Sequence, residues 1–159
     1  MAKFNVPSRG EVSASNQTIF DNLEKGLGFV PNLYAYYAKN DTALADYLAL
    51  QNRKSTLSAK EREIVNLVVS EYNGCRYCQS AHTLIGKMNG LSEDQVLEVR
   101  GGTAAFNEKL NALAVFTLST ISNRGRATEE AKALFFEAGY TEADRKSTRL
   151  NPVTWPSRM

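Results

Sequence analysis

The amino-acid sequence predicts an all-α protein, a bundle of seven to eight short helices. Three observations support this fold class: apolar residues recur at intervals of three and four, helix start and stop signals are frequent, and strand-like alternation is rare. The segments between the predicted helices are two to six residues long, which is typical of helical bundles. No internal repeat or low-complexity segment stands out.

Three helices are predicted in the first third of the chain. The first covers residues 16–27, with apolar side chains at helical spacing and a glycine just beyond its end. The second begins at Pro31, because proline suits the first turn of a helix, and runs to Asn40. Asp41 is expected to cap the third helix, whose apolar face begins at Leu44.

Two capping boxes mark helix starts further along the chain. Ser58 is followed three residues later by Glu61, and Ser92 by Gln95. The first box precedes residues 64–69, an apolar run rich in β-branched side chains that would also suit a buried strand. The box favours a helix, because its side chains supply partners for N-terminal amides that otherwise stay unpaired.

The remaining helices are predicted from the same signals. One begins near Cys75 and runs to Met88, with a glycine past its end. Residues 107–122 carry apolar side chains at periods of three and four, and Thr128 is expected to cap a final helix through Phe136.

Length and composition are those of one globular domain. The chain has 159 residues, of which 43% are apolar and 23% charged, and this size supports one core rather than two. No apolar run approaches the roughly 18 residues of a membrane helix, and the N-terminal segment lacks the apolar stretch of a secretory signal. We therefore expect a cytoplasmic protein without a membrane partner.

The C-terminal segment differs in charge from the rest of the chain. Lys and Arg total 19 against 17 Asp and Glu, but four of the basic residues and no acid lie after Asp144. Residues 1–144 are therefore mildly acidic, which argues against a nucleic-acid partner. Residues 144–151, DRKSTRLN, look like a translated sequencing adapter. We predict one domain over residues 1–144 and a non-native or disordered basic tail over residues 145–159.

The two cysteines and the single histidine lie together in the sequence. Cys75 and Cys78 are spaced C-x-x-C, and His82 follows four residues after Cys78. On one helix these three side chains share a face. An imidazole can take the proton of a thiol, and the positive end of the helix dipole favours the thiolate. This spacing indicates a redox-active or metal-binding pair rather than a disulfide framework.

A polar stripe runs along the preceding apolar helix. Glu63, Asn66 and Ser70 are three and four residues apart, so they share one face, which lies either in solvent or in a buried site. If the two helices pack antiparallel, the Glu63 carboxylate could reach His82 and orient its ring, as the third group of a catalytic triad does. Glu71 is the competing carboxylate, and we expect it on the surface near the helix end.

The four residues together resemble a known motif. Glu63, Cys75, Cys78 and His82 are spaced E-x11-C-x2-C-x3-H, which resembles the core of the AhpD-like alkylhydroperoxidases in the carboxymuconolactone decarboxylase family. The likeness extends over about residues 15–140. It implies an AhpD-like helical fold, assembly as a homotrimer or homohexamer, and no cofactor or bound metal.

The resemblance also implies a mechanism and its partners. A relay of Glu63 and His82 deprotonates Cys78, which attacks a hydroperoxide and becomes a sulfenic acid; Cys75 then resolves it to a disulfide. A dithiol reductant protein must reduce that disulfide. The residues alone leave the nucleophile open, since the first cysteine of such a pair at a helix start is usually more accessible. The position of His82 favours Cys78.

Tyr77 is a departure from the family pattern. Studied peroxidases of this type carry a histidine between the cysteines, whereas this chain has Tyr77, and a tyrosine side chain cannot act as a base at neutral pH. We expect weaker peroxidase activity or a different substrate. The decarboxylase branch of the family lacks the cysteine pair, so decarboxylation is not expected here.

Three other readings remain open at this stage. The cysteine pair could be an inert element of an oligomeric binding module, part of a metal site, or the centre of a general dithiol oxidoreductase. Structural zinc needs four ligands, and two cysteines with one histidine supply three. Other conspicuous side chains are expected to serve the core, an interface or solvated loops: Tyr34, Tyr36, Tyr37, Phe106, Phe116, Arg124 and Arg126.

Overall fold

All regular elements in residues 5–149, the part of the chain that the computed structural model describes, are helical. In chain order they are a 3-10 turn at Arg9–Glu11 and nine α-helices: α1 Ala14–Leu27, α2 Asn32–Tyr37, α3 Ala43–Gln51, α4 Ala59–Tyr72, α5 Arg76–Met88, α6 Glu93–Arg100, α7 Glu108–Ser122, α8 Glu129–Glu137 and α9 Glu142–Arg149. The predicted all-α fold class is confirmed. Within this part of the chain, none of the helices has the length and apolar character needed to cross a membrane.

The helix starts that rest on capping boxes are confirmed. The Ser58 hydroxyl accepts from the Glu61 amide at 3.3 Å, and the Glu61 carboxylate accepts from the Ser58 amide at 2.8 Å. Ser92 and Gln95 make the same reciprocal pair at the start of α6. The β-branched run at residues 64–69 is helical and buried, because the box fixes the first turn that the run then continues.

The predicted cap of α3 is wrong. Asp41 does not cap this helix; Thr42 is the N-cap residue, and the capping side chain is Asn40. Its Oδ1 accepts from the amides of Thr42 and Ala43, each at 3.0 Å. The asparagine reaches these amides because α2 ends at Tyr37, earlier than the sequence indicated, and the chain turns before α3 begins.

The last helix crosses the predicted boundary at residue 144. Thr141 and Asp144 form a reciprocal pair at its start: the Thr141 amide donates to the carboxylate at 2.8 Å, and the Asp144 amide donates to the hydroxyl at 3.3 Å. Ser147 and Thr148 of this helix are buried. The sequence did not predict this helix, because the residues after Asp144 contain no acids and looked like a tail. The pair formed by Thr141 and Asp144 begins the helix. Residues 150–159 of the predicted tail lie outside the described residues.

Backbone contacts divide the chain into two compact units, Met1–Arg53 and Lys54–Met159. The first unit has a small core to which α1, α2 and α3 contribute: Val12, Phe20, Ala35, Ala38 and Leu44. Asn16 is fully buried there and donates to the carbonyls of Ala38 and Asn40 at 3.1 and 3.0 Å. This amide joins α1 to the end of α2.

The second unit is built around α4. This helix packs against α5, α6 and α7, and α7 packs in turn against α8. Eight consecutive residues of α4, from Glu63 to Ser70, are buried. Phe135 is stacked between Phe116 and Tyr140, with ring centroids 4.3 and 4.5 Å away. These aromatic side chains close the core on the α7–α8 side.

Gly86 allows α5 to lie close to its neighbours. A Cβ atom at this position would stand 3.3 Å from the Leu91 side chain, 3.5 Å from Leu67 and 3.7 Å from Val96. Gly86 follows His82 by one helical turn, so the two residues share a face of α5. The close packing at Gly86 therefore also holds His82 against the buried face of α4.

Candidate active site

The polar stripe of α4 is buried rather than solvated. Glu63 is 6% exposed, Asn66 is 7% exposed and Ser70 is fully buried. Burying polar side chains costs free energy unless they find hydrogen-bond partners. Such a stripe on an otherwise apolar helix therefore marks a site within the core.

The Glu63 carboxylate is held by two side chains, one on each oxygen. Its Oε2 lies 2.8 Å from Nδ1 of His82, and its Oε1 accepts from Nδ2 of Asn66 at 2.7 Å. His82 is itself buried on α5. A contact between the early part of α4 and the middle of α5 requires the chain to fold back, as the predicted antiparallel pair does.

This contact determines what the imidazole can do. An ionised carboxylate can only accept hydrogen bonds, so a neutral His82 beside ionised Glu63 carries its proton on Nδ1. The other ring nitrogen, Nε2, then has a free lone pair. The arrangement prepares His82 to accept a proton at Nε2 while Glu63 balances the charge that forms.

The cysteines lie at the N-terminus of the same helix. Cys75 is the N-cap residue of α5, its Sγ accepts from the Cys78 amide at 3.3 Å, and its own amide donates to the Ser70 carbonyl at 3.1 Å. The two cysteines are joined by a disulfide with Cα atoms 5.3 Å apart. Both cysteines are partly exposed, whereas His82 is buried.

The four predicted site residues therefore fall within one α4–α5 pair. Cys78 and His82 are one turn apart on α5, Cys75 is bonded to Cys78, and Glu63 contacts His82 from α4. Asn66 was not among the four predicted site residues, yet it contacts one of them. Its position three residues after Glu63 was visible, but the pattern could not show which group its amide binds.

Other residues considered at the sequence level lie outside this network. Glu71 accepts from Nε of Arg100 at 2.6 Å on the surface, as expected for the competing carboxylate. The Tyr77 side chain is 50% exposed. Because Glu63 and His82 bind each other, Tyr77 is not needed to orient either of them.

The remaining aromatic and arginine residues lie in several different environments. Tyr37 stacks on Tyr47 at a centroid distance of 4.5 Å within the first unit, and Phe116 is buried in the second. The others are distributed as follows: Tyr34 packs against the first core, Tyr36 lies under the Lys39 ammonium, and Phe106, Arg124 and Arg126 are exposed. In residues 5–149, no group of three or more His, Cys, Asp and Glu side chains is arranged to hold a metal ion.

A comparison with profiles of protein families assigns the chain to a family. The profile of the carboxymuconolactone decarboxylase family matches residues 36–119, more than half of the chain, and the matched segment includes all four predicted site residues. The chain belongs to this family. The resemblance inferred from the spacing of Glu63, the cysteines and His82 is thereby confirmed.

Solved structures share the fold of this family member at low sequence identity. A peroxidase-related protein from Silicibacter sp. is 23% identical with a TM-score of 0.77, and the match covers 95% of this chain and 81% of that one. An alkylhydroperoxidase AhpD core protein from Ralstonia eutropha is 21% identical with a TM-score of 0.80, over 95% and 82% of the two chains. An apo debrominase is 19% identical with a TM-score of 0.74, over 96% and 85%. These likenesses establish the AhpD-like fold.

A comparison with curated proteins gives no match.

Proposed function

We propose that this protein is a thiol-dependent peroxidase that reduces organic hydroperoxides through Cys75 and Cys78. The observation that carries the proposal is the buried contact of 2.8 Å between Glu63 Oε2 and His82 Nδ1, one helical turn from a cysteine pair. A carboxylate that orients an imidazole beside a thiol is the arrangement that activates cysteine nucleophiles.

The first step oxidises Cys78. Nε2 of His82 takes the thiol proton, and Glu63 stabilises the imidazolium that forms. The thiolate attacks the terminal oxygen of the hydroperoxide, the O–O bond breaks, and the alkoxide leaves. The alkoxide takes the proton from His82 and departs as an alcohol. The sulfur gains one oxygen and becomes a sulfenic acid.

The second step forms the disulfide that the structure contains. The Cys75 thiol gives up its proton and its sulfur attacks the sulfenic sulfur of Cys78; the S–O bond breaks, and the hydroxide takes up that proton and leaves as water. The Cα separation of 5.3 Å lies within the range usual for protein disulfides. A dithiol protein then supplies two electrons by thiol–disulfide exchange, which returns both cysteines to the thiol form.

The choice of Cys78 over Cys75 rests on the position of the base. The helix N-terminus favours a thiolate at Cys75, whose Sγ already accepts an amide hydrogen bond there. His82, however, lies one turn after Cys78 on the same face, so the proton acceptor serves the second cysteine.

Single-turnover measurements on two serine variants test the proposal. We expect reduced Cys75→Ser protein to consume one equivalent of cumene hydroperoxide and stop as a sulfenic acid that dimedone traps. Reduced Cys78→Ser protein should consume none at a comparable rate. If Cys78→Ser reacts as fast as the wild type, the nucleophile assignment is wrong.

A general dithiol oxidoreductase is the second candidate, and the partial exposure of both cysteines favours it. Such an enzyme would reduce small disulfides as fast as hydroperoxides, with no dependence on Glu63. Rates with cumene hydroperoxide and with a small aromatic disulfide, measured for wild type and Glu63→Gln, separate the two. A Glu63 effect confined to the hydroperoxide supports the peroxidase.

The proposal also covers the subunit number and the cellular location of the protein, and membership of the carboxymuconolactone decarboxylase family supports both. We propose a cytoplasmic homotrimer or homohexamer. Light scattering of the purified protein at several concentrations measures the subunit number, and a monomer at every concentration would contradict this part.

A further inference from the structure

Asn66 occupies an unusual position for a buried amide. Its Nδ2 donates to Glu63 Oε1 at 2.7 Å, while its Oδ1 is buried and has no hydrogen-bond partner among the described residues. Buried asparagines that serve the fold usually satisfy their polar atoms with backbone groups. The Oδ1 of the buried Asn16 also lacks a partner among the described residues, but its Nδ2 donates to two backbone carbonyls, whereas Nδ2 of Asn66 donates to a carboxylate.

The hydrogen bond from Asn66 goes to the Glu63 carboxylate, the group that also contacts Nδ1 of His82. A glutamate carboxylate rotates broadly about its last side-chain torsion, so one hydrogen bond to Oε2 does not fix its plane. A second donor on Oε1 fixes the plane of the carboxylate, because both oxygens are then held. Asn66 comes from the same helix as Glu63 and lies one turn further on, so its amide is itself fixed by α4.

We propose that Asn66 is a positioning residue that sets the proton location on His82 through Glu63. With the carboxylate plane fixed, Oε2 faces Nδ1 and holds the ring as the Nδ1–H tautomer, which leaves Nε2 to accept the thiol proton. Asn66 itself touches neither the thiols nor the peroxide in this account. The inference rests on the proposed function only for its effect on the reaction rate.

The single histidine makes the proposal directly measurable. Because His82 is the only histidine in the chain, the imidazole nitrogens of ¹⁵N-histidine-labelled protein give one set of signals. The measurement uses the oxidised protein, whose disulfide the structure contains. We expect the wild-type signals at neutral pH to show a protonated Nδ1 and an unprotonated Nε2.

Two variants remove the Asn66 hydrogen bond in different ways. Asn66→Leu keeps the approximate volume without polar atoms, and Asn66→Val removes the amide with a shorter, β-branched side chain. In both we expect a mixture of the two tautomers and a single-turnover rate lowered about tenfold, the effect of losing one hydrogen bond to a charged group. The matched control is Thr117→Val, which removes a buried hydroxyl of α7 that donates to the Leu113 carbonyl of its own helix.

The outcomes separate this proposal from the proposed function. Tautomer mixing in both Asn66 variants, with unchanged signals in Thr117→Val, supports the positioning role even if the wild type proves inert to hydroperoxide. A wild-type tautomer in both variants overturns it, whatever the rates. A wild-type ring protonated at Nε2 also overturns it, because the carboxylate would then not face an N–H group.

Discussion

Helices α4 and α7 pack against each other in the second unit, and both bury polar side chains, but they satisfy them in different ways. On α7, the hydroxyls of Thr117 and Thr120 donate to the carbonyls of Leu113 and Phe116 at 2.7 Å, within the same helix. On α4, the carboxylate of Glu63 is satisfied by Asn66 and by His82 of another helix. Two buried atoms on α4, Asn66 Oδ1 and Ser70 Oγ, have no partner in residues 5–149.

The difference separates polar residues that serve folding from those we assign to chemistry. A threonine that bonds back to its own helix costs little and engages no other element. A buried carboxylate bound to an imidazole from another helix costs desolvation and depends on close packing of both helices. Such an arrangement is expected where selection is for reactivity rather than stability.

The largest expected effect comes from Glu63→Gln. Glutamine keeps the size of the side chain but cannot balance the charge of the imidazolium, so we expect single-turnover peroxide consumption to fall about 10²–10⁴-fold. Thr120→Val on α7 is the control and should leave the rate unchanged. Stopped-flow measurements on the reduced proteins give both rates. Equal rates in Glu63→Gln and wild type would show that the buried carboxylate of α4 has no role in the reaction.

The next largest effect is expected from a substitution on the buried face of α7, and it changes the free energy of unfolding rather than the rate. Leu113 is fully buried, so Leu113→Ala should lower the free energy of unfolding by about 2–5 kcal/mol, through lost burial and a residual cavity. Urea denaturation measures this loss. We expect the rate per folded molecule at 25 °C to change less than twofold. A large loss of rate in folded Leu113→Ala protein would show that α7 contributes to the site.

Substitutions in the helix caps are expected to have the smallest effect on stability, and at one cap this effect depends on pH. Burial acts to raise the pKa of Glu61, but the hydrogen bonds with Ser58 and the charge of Lys109 outweigh it and hold the pKa below its ordinary value of 4.5. A lowered carboxyl pKa stabilises the fold above that value, and this contribution is lost as the pH falls through the folded-state pKa. The cap of α7, Asn107, does not titrate; its Oδ1 accepts from the Leu110 amide at 2.9 Å.

We therefore expect Glu61→Gln to cost less than about 1 kcal/mol at neutral pH, because glutamine also completes a capping box. The variant should lose less stability than the wild type on acidification below about pH 4.5. Asn107→Ala should cost about 1 kcal/mol at neutral and acid pH alike. Urea unfolding at several pH values checks both. Parallel pH curves for Glu61→Gln and wild type would show that the α4 cap carries no titrating component.

The features that the sequence predicted depend on residues close together in the chain. The boxes at Ser58 and Ser92 and the shared face of Cys78 and His82 are set by spacings of three and four, so pattern alone predicts them. The Asn40 cap, hidden by the neighbouring Asp41, required the end of α2 to be known within a few residues. The hydrogen bond from Asn66 to Glu63 depends on side-chain rotamers inside a packed core, which periodicity does not determine.

The most direct test of the account is the thiol count and intact mass of reduced wild-type protein before and after one equivalent of an organic hydroperoxide. We predict rapid loss of both thiols and a mass lower by two hydrogens, the signature of a Cys75–Cys78 disulfide formed through peroxide chemistry. Unchanged thiols and mass in a folded sample would contradict the proposed function.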